Sequence, residues 1–535
     1  MQRLLSLAVW ALVLSLVIAA PEADLRARPA TSPVRVLTEA PLPPQSLDRA
    51  PLFVPLAVEA ALAPIRADVW QSAGFTGYQQ SVAIIDAGFA GYTEALGSSL
   101  PQVVVTQSFR ADGDLEAGTG HGLRAAELVH AVAPNAQLYL VNFGTEAELS
   151  AAVDFLIGRD VDVISFSLGF IHAGPGDGTG EVNTIVSRAV DAGVAWSVAS
   201  GNWAEQHWGG PFTDLDGNSI HEFAVGEQLN GRDFLAGDLV IASLRWENTW
   251  GAACDDYDLE LFGPAGALVA ASRDIQNCSG NPIESVQVLA TQAGTYSVRV
   301  IEARSDAPRT LSLLMLGSPD RGAPLQLPVA AGSLSQPADH LGVLSVGALQ
   351  NDGVTEAPFS SRGPTQDGRT KPDLLSPTGA INGAGETFSG TSAAAPHVAG
   401  MLALLSEAFP SMDSAALIDE LRSRSEATAS GKPAASLGAL TGLGDLLPVG
   451  GDEAELRGEI PETGGIVLVQ YRGPDGYPLR FAHLLTGLRE ADAYFRLDIE
   501  AQRWDTFIRG APAFVQDFER FNDGDLVIGL FPAPQ

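Results

Sequence analysis

The feature that most constrains the fold is a series of short apolar runs that each end in small or polar residues. Four of them are SVAIIDAGFAGY (81–92), AQLYLVNFG (136–144), VDVISFSLG (161–169) and GVAWSVASGN (193–202). Helical patterns lie between them, at 122–133, 146–159 and 180–193. Alternating strands and helices are typical of βαβ units, whose parallel strands bind ligands at their carboxyl ends. The sequence therefore predicts an α/β domain with a parallel sheet flanked by helices.

This alternation stops after residue 204 and resumes near residue 330. The stretch 205–235 is rich in Gly, Asp and Asn and is predicted to be loop. Residues 236–317 alternate apolar and polar positions with period two, in short runs separated by turn residues, which predicts an inserted β-sandwich. Further β-rich runs after residue 447 predict a small C-terminal β module.

The amino-terminal segment contains one arginine, then an apolar run from Leu4 to Ala20, then small residues. This order is typical of a bacterial-type secretory signal peptide, and an uncleaved membrane anchor is the alternative for a run of this length. The rest of the sequence predicts no stable membrane span. In an exported chain the only two cysteines, Cys254 and Cys278, most simply form one disulfide.

These observations predict six segments. They are a signal peptide (1–20), a linker or short pro-segment (21–60), the first part of the α/β domain (61–204), the inserted β-sandwich (205–329), the second part of the α/β domain (330–446) and the C-terminal β module (447–535).

The charge of the chain limits its partners. The formal net charge is −33, and only two lysines occur, Lys371 and Lys432. Phosphate binding depends on clustered Lys and Arg, so this surface disfavours nucleic acid and anionic membranes. The acidity is most simply a device for solubility.

One stretch, TFSGTSAAAPHVAG (387–400), crowds small residues around a single serine, Ser392. It could be a Gly/Ser loop leading into a buried helix, or it could hold Ser392 at a helix N-terminus as a nucleophile. A hydroxyl needs a base and an orienting acid to attack. His121 and Asp86 could meet that need in the predicted fold, because they lie, like Asn202 and Ser392, at a strand end or a helix start of the same α/β domain.

The chain resembles the subtilases, the subtilisin-like serine peptidases. The resemblance is carried by VAIIDAGF, GHGLRAAELV, VISFSLG, SVASGN, VLSVGAL, FSSRGPTQDGRTKPD and SGTSAAAPHVAG, with Asp before His before Ser. It implies that Ser392 attacks the scissile carbonyl, that His121 transfers the proton, and that Asp86 orients the imidazole. It also implies that the Asn202 amide stabilises the oxyanion.

The same resemblance implies a substrate-binding segment. Ser167, Leu168 and Gly169 would form an edge strand that pairs with the substrate backbone. Gly169 and Gly201 would leave room for the P1 side chain, whose carbonyl is attacked. The alternative for these glycines is that they only form tight turns.

The histidine block departs from the family pattern H-G-T-H-V-A-G. It reads HGLRAAE, with Leu123, Arg124 and Glu127 at the substituted positions. None of these is the proton-transfer group, so the departure bears on substrate preference. His130 and His397 are expected to be packed helix residues. The related sedolisins use Glu and Asp where this chain has His121 and Asn202, and a neutral imidazole base predicts a neutral to alkaline optimum.

Two secondary resemblances concern the insert. The segment DDYDLELFGPAGALVAASRD, followed by AGTYSVRV, is similar to the bacterial pre-peptidase C-terminal domain. Asp214, Asp216 and Asn218 are spaced as in a calcium loop, but the full twelve-residue pattern is missing and a surface turn is the alternative. A structural Ca²⁺ is expected from family resemblance, and no cofactor is required for the chemistry.

The leading hypothesis is a secreted or cell-surface serine endopeptidase that acts as a monomer on protein or peptide substrates. Two alternatives stay open. One is a non-catalytic surface-binding protein on a degenerate subtilase scaffold. The other is a processing enzyme with a single target, whose insert gates the cleft.

Overall fold

The structure is a computed structural model that describes residues 56–57, 62–318, 322–350, 352–381, 387–428 and 430–440, together with the backbone of short strands between residues 455 and 531. The predicted signal peptide and linker lie outside the described residues, apart from the two-residue strand β1 (Leu56–Ala57). This strand pairs with β17 (Ala380–Ile381), which in turn pairs with β18 (Thr387–Phe388). The predicted junction at residue 447 also lies outside them.

A nine-stranded sheet forms the centre of the α/β domain, as predicted. Its strands are β2 (Ser81–Asp86), β3 (Val105–Ser108), β4 (Gln137–Asn142), β5 (Val163–Phe166), β6 (Ala195–Ala199), β15 (Leu344–Leu349), β16 (Leu374–Pro377), β19 (Glu426–Ala427) and β20 (Pro433–Ala434). Their spatial order is β19-β20-β16-β15-β6-β5-β2-β4-β3, and every pair except β19 with β20 is parallel. The order reverses direction around β2, and such a switch point is where open α/β sheets bind ligands.

Helices cover both faces of this sheet. They are α1 (Ala67–Ser72), α2 (Tyr92–Ala95), α3 (His121–Val132), α4 (Glu146–Ile157), α5 (Glu181–Asp191), α6 (Thr391–Ala408) and α7 (Ser414–Arg424). Apolar residues of α3, α6 and α7 share one core with the sheet, and those of α4 and α5 form a second core on the opposite face. The three predicted helical patterns correspond to α3, α4 and α5.

Two antiparallel four-stranded sheets follow β6 and share one apolar core. One contains β8 (Asn230–Phe234), β10 (Asp256–Phe262), β11 (Leu268–Ser272) and β13 (Gly294–Arg304), and the other contains β7 (His207–Pro211), β9 (Leu239–Trp246), β12 (Ile283–Leu289) and β14 (Thr310–Ser318). The short alternating runs predicted within residues 236–317 form the strands β9 to β14. The predicted loop at 205–235 was wrong in part, because β7 and β8 lie within it.

Those two strands were missed because their sequences, HWGGP and NGRDF, are rich in Gly and polar residues. They are held by pairing with β14 and β13, so the neighbouring strand decides their conformation rather than their own propensity. Cys254 and Cys278 form the predicted disulfide between loops of this insert.

The C-terminal segment contains β strands, as predicted. A five-stranded antiparallel sheet joins β21 (Glu455–Arg457), β22 (Gly465–Arg472), β24 (Ala493–Asp498), β25 (Arg503–Ile508) and β27 (Leu526–Phe531). Two further short strands, β23 (Tyr477–Pro478) and β26 (Arg520–Phe521), pair with each other. Within the described part of the chain, no helix has the length and apolar character needed to cross a bilayer.

Candidate active site

Asp86 and His121 form a buried hydrogen-bonded pair at the switch point of the sheet. Asp86 is the last residue of β2 and His121 is the first of α3. His121 Nδ1 lies 2.7 Å from Asp86 Oδ2, and the Ala87 N–H donates to Asp86 Oδ1 over 2.7 Å. Asp86 is fully buried, and only 4% of His121 is exposed. The carboxylate therefore fixes the orientation of the imidazole ring in a site that excludes bulk water.

A glycine makes this approach possible. A β-carbon on Gly122 would lie 2.7 Å from the Asp86 Cβ and 2.8 Å from the Gly88 carbonyl oxygen. Any side chain here would push α3 away from β2 and lengthen the Asp86–His121 contact. On another side, the His121 ring meets the edge of the Phe388 ring, with centroids 5.1 Å apart. Phe388 lies four residues before Ser392, so this contact links the histidine to the serine segment.

Ser392 is the second residue of α6 and is 2% exposed. Its hydroxyl donates to the Ser167 carbonyl over 3.2 Å, and the Ser167 hydroxyl donates to the Ser392 carbonyl over 2.9 Å. The Ser392 carbonyl is available for this bond because its helical partner four residues later is Pro396, which has no N–H. The proline therefore exchanges one helical hydrogen bond for a tether to the end of β5.

The Asn202 side chain is held in one orientation beside Ser392. Its Oδ1 accepts from the Thr391 N–H over 2.9 Å and from the Thr391 hydroxyl over 3.1 Å. A backbone N–H can only donate, so the oxygen must face Thr391 and the amide nitrogen must point away from it. The Thr391 hydroxyl also accepts from the Gly201 N–H over 3.2 Å, which ties the end of β6 to the start of α6.

The predicted substrate-binding residues occupy the ends of two neighbouring strands. Ser167, Leu168 and Gly169 follow β5 directly, and Gly201 lies two residues after β6. All four residues are buried. The structure therefore places the predicted catalytic and substrate-binding residues at the carboxyl ends of the neighbouring strands β2, β5 and β6 and at the starts of α3 and α6.

The model of the subtilase family matches residues 77–229 and 326–444, just over half of the chain. The chain belongs to the subtilase family. Both matched segments contain site residues, and the unmatched gap between them falls inside the inserted sheets. The predicted family is thereby confirmed.

Two curated relatives and one solved structure place this subtilase among known proteins. Subtilisin E of Bacillus subtilis is 30% identical over 164 residues, which cover 27% of this chain and 40% of that protein. Pyrolysin of Pyrococcus furiosus is 28% identical over 260 residues, which cover 43% of this chain and 17% of that protein. The match thus spans less than half the length of either relative. The structure of the Clostridium perfringens CspB protease shares the fold, with a TM-score of 0.52 and 17% identity over 72% of this chain and 99% of that one.

The altered histidine block has a structural consequence in this subtilase. Glu127 is buried on α3 and accepts a hydrogen bond from the Ser99 hydroxyl over 2.5 Å. The loop after α2 thus supplies a hydrogen-bond partner for the carboxylate that replaces the family's glycine. His130 and His397 are packed in helices as expected, and burial lowers the pKa of each to about 4.

The residues predicted to bind calcium lie in a hydrogen-bonded surface turn. The Asp214 carboxylate accepts from the Gly217, Asn218 and Ser219 N–H groups, and the side chains of Asp216 and Asn218 are hydrogen-bonded to each other. These oxygens close a surface turn, which is the alternative that the spacing left open. Among the described residues, no group of three or more His, Cys, Asp or Glu could hold a metal ion.

Sequence reasoning missed two residues that shape the site, Thr391 and Phe388. Both lie in the segment 387–400 around Ser392. Small and apolar residues in that segment are equally compatible with a buried helix, so no role could be assigned to them from the sequence. In the structure the end of β6 and the start of α3 both approach this segment. Thr391 then orients Asn202, and Phe388 contacts His121.

Proposed function

We propose that this subtilase is a secreted serine endopeptidase that cleaves protein or peptide substrates through an acyl-enzyme on Ser392. The observation that carries the proposal is the buried 2.7 Å contact between His121 Nδ1 and Asp86 Oδ2. A carboxylate at this nitrogen selects the tautomer with its proton on Nδ1, which leaves proton exchange with Ser392 to Nε2.

The roles follow from this arrangement. His121 takes the Ser392 proton as the hydroxyl attacks the scissile carbonyl, and then gives it to the leaving amine. Asp86 stabilises the imidazolium that forms between these steps. Because Thr391 holds the Asn202 oxygen, the amide N–H groups are turned away from Thr391 and can donate to the developing oxyanion. The start of α6 adds a favourable dipole and backbone N–H groups.

Other features of the chain support export of the protein and the partners proposed for it. The predicted signal peptide and the disulfide fit export, and the net charge of −33 fits a soluble, monomeric protein that does not bind nucleic acid. The proposal keeps the six predicted segments as the domain division, with an insert related to the bacterial pre-peptidase C-terminal domain. No step of the chemistry requires a cofactor or a metal ion.

The test is reaction with a fluorophosphonate probe together with hydrolysis of a casein-like substrate. Wild type should be labelled and active, whereas Ser392→Ala should lose both properties and keep its unfolding midpoint. Ser197→Ala is the matched control, because Ser197 is a buried serine that donates to the Ala395 carbonyl of the same helix over 2.7 Å, outside the proposed catalytic group. If the probe did not label the wild-type protein, the peptidase proposal would be wrong and the non-catalytic surface-binding alternative would be favoured.

A further inference from the structure

The P1 side chain is expected to bind between the segments that contain Gly169 and Gly201, which we call the P1 slot. Ser335, which belongs to neither segment, lies next to both glycines. A β-carbon on Gly169 would lie 2.7 Å from the Ser335 Cβ, and one on Gly201 would lie 2.8 Å from the Ser361 Oγ and 3.3 Å from the Ser335 Cβ. Ser335 is therefore close to both of the glycines whose missing side chains were expected to leave room for substrate.

Backbone hydrogen bonds fix Ser335 in that position. Its N–H donates to the Ser200 carbonyl over 2.9 Å, and the next residue, Gln336, exchanges two backbone bonds with Phe170. The Ser335 hydroxyl donates to the Ala199 carbonyl over 3.2 Å. The segment is thus tied to both walls of the slot, and Ser335 is fully buried.

A second residue narrows the slot from the side. Trp203 directly follows Asn202, and its Cη2 would lie 3.2 Å from a β-carbon on Gly169. The indole ring belongs to a small apolar cluster with Ile171 and with Leu314 and Leu316 of β14. Because β14 belongs to the inserted sheets, the insert supplies part of the packing that holds Trp203 against the slot.

We infer that Ser335 and Trp203 restrict P1 to small side chains, namely Gly, Ala and Ser, and that the insert maintains this restriction by packing on Trp203. This inference rests on the proposed peptidase function, because P1 is defined only if Ser392 attacks a peptide bond. Both residues act by volume: each stands where the side chain of a larger P1 residue would have to go. The serine and the indole are specificity-determining residues, and neither is needed for proton transfer.

The experiment measures kcat/KM for peptides that are identical except for Ala, Leu or Phe at P1. Wild type should prefer Ala over Phe by on the order of 100-fold, since a pocket discriminates by about 10- to 200-fold per methylene-sized change. Ser335→Gly should lower that preference at least about tenfold. Ser333→Gly is the matched control. Ser333 is a buried serine on the same segment, and none of its atoms is among the three nearest to a β-carbon on Gly169 or Gly201. This variant should leave the preference for Ala over Phe unchanged.

A second pair of variants tests the role of the insert. Leu314→Ala removes a contact partner of Trp203, whereas Leu313→Ala makes the same change in the core between the two inserted sheets. Only Leu314→Ala should lower the preference for Ala over Leu at P1. Equal shifts in both variants, or a shift in neither, would overturn the role assigned to the insert.

The outcomes separate this inference from the proposed function. Fluorophosphonate labelling with equal cleavage after Ala and Phe would overturn the inference and leave the peptidase assignment standing. A wild type without labelling would overturn both. A preference for Ala that Ser335→Gly leaves intact would remove Ser335 as its cause.

Discussion

Gly390→Ala should inactivate this subtilase by displacing Asn202. Gly390 precedes α6 with φ 94° and ψ 179°, a conformation that is essentially restricted to glycine. A β-carbon there would lie 2.7 Å from the Asn202 Nδ2 and 3.2 Å from its Oδ1. Because Thr391 holds Oδ1 in place, the amide can escape the new methyl group only by giving up its two hydrogen bonds to Thr391.

Two costs follow, and they can be measured separately. The backbone strain should lower the free energy of unfolding by about 1–3 kcal/mol. The displaced amide should raise the activation barrier by about 3–4 kcal/mol, which is a loss of 10²–10³ in kcat with a small change in KM. Urea unfolding measures the loss of stability, and peptide hydrolysis measures the loss of kcat.

Gly180→Ala is the control. Gly180 also precedes a helix, α5, with φ 106° and ψ 178°, and its nearest neighbour to a new β-carbon is 3.3 Å away. This variant should lose similar stability and keep its kcat. If Gly390→Ala retained kcat within about threefold of Gly180→Ala, the proposed role of Asn202 in stabilising the oxyanion would be refuted.

Two further predictions follow from the site and its surroundings. Asp86→Asn should lower kcat by about 10⁴ with little change in KM, because the amide would favour the wrong tautomer of His121; a loss under tenfold in steady-state assays would contradict the role of Asp86. Burial lowers the pKa of His207 and of His397 to about 4, so the unfolded chain, with an ordinary histidine pKa near 6.5, takes up protons first as the pH falls. Their stabilisation is therefore full above pH 6.5 and is lost between pH 6.5 and 4, by at most about 3 kcal/mol each; urea midpoints at pH 7.5 and 4.5 should show the loss, and a smaller loss is expected for His207→Gln.

The sequence was sufficient to predict the α/β domain because the central strands of its sheet are buried on both faces. Such strands appear as continuous apolar runs, and each ends in a small or polar residue where the chain leaves the sheet. That pattern placed Asp86 and Asn202 at strand ends, whereas the role of Ser167 was expected only from the resemblance to the subtilases. The placement of Ser335 did not follow from the pattern, because nothing in its local sequence shows that it lies close to the ends of β5 and β6. Such an arrangement depends on pairing between segments that are distant in sequence, just as β7 and β8 depend on β14 and β13.

Pro396, four residues after Ser392, shows why a residue that disfavours helices can occur inside a helix at a functional site. Pro396 lies inside α6, where it removes a helical hydrogen bond and where a helix would ordinarily be destabilised. The lost bond belongs to the carbonyl of Ser392, and the Ser167 hydroxyl replaces it over 2.9 Å while the Ser392 hydroxyl donates back to the Ser167 carbonyl. An uninterrupted helix would satisfy that carbonyl internally and leave the start of α6 without this tether to the sheet. The proline therefore transfers one hydrogen bond from the helix to the contact that positions the nucleophile, and this gain accounts for a residue that helix propensity alone would exclude.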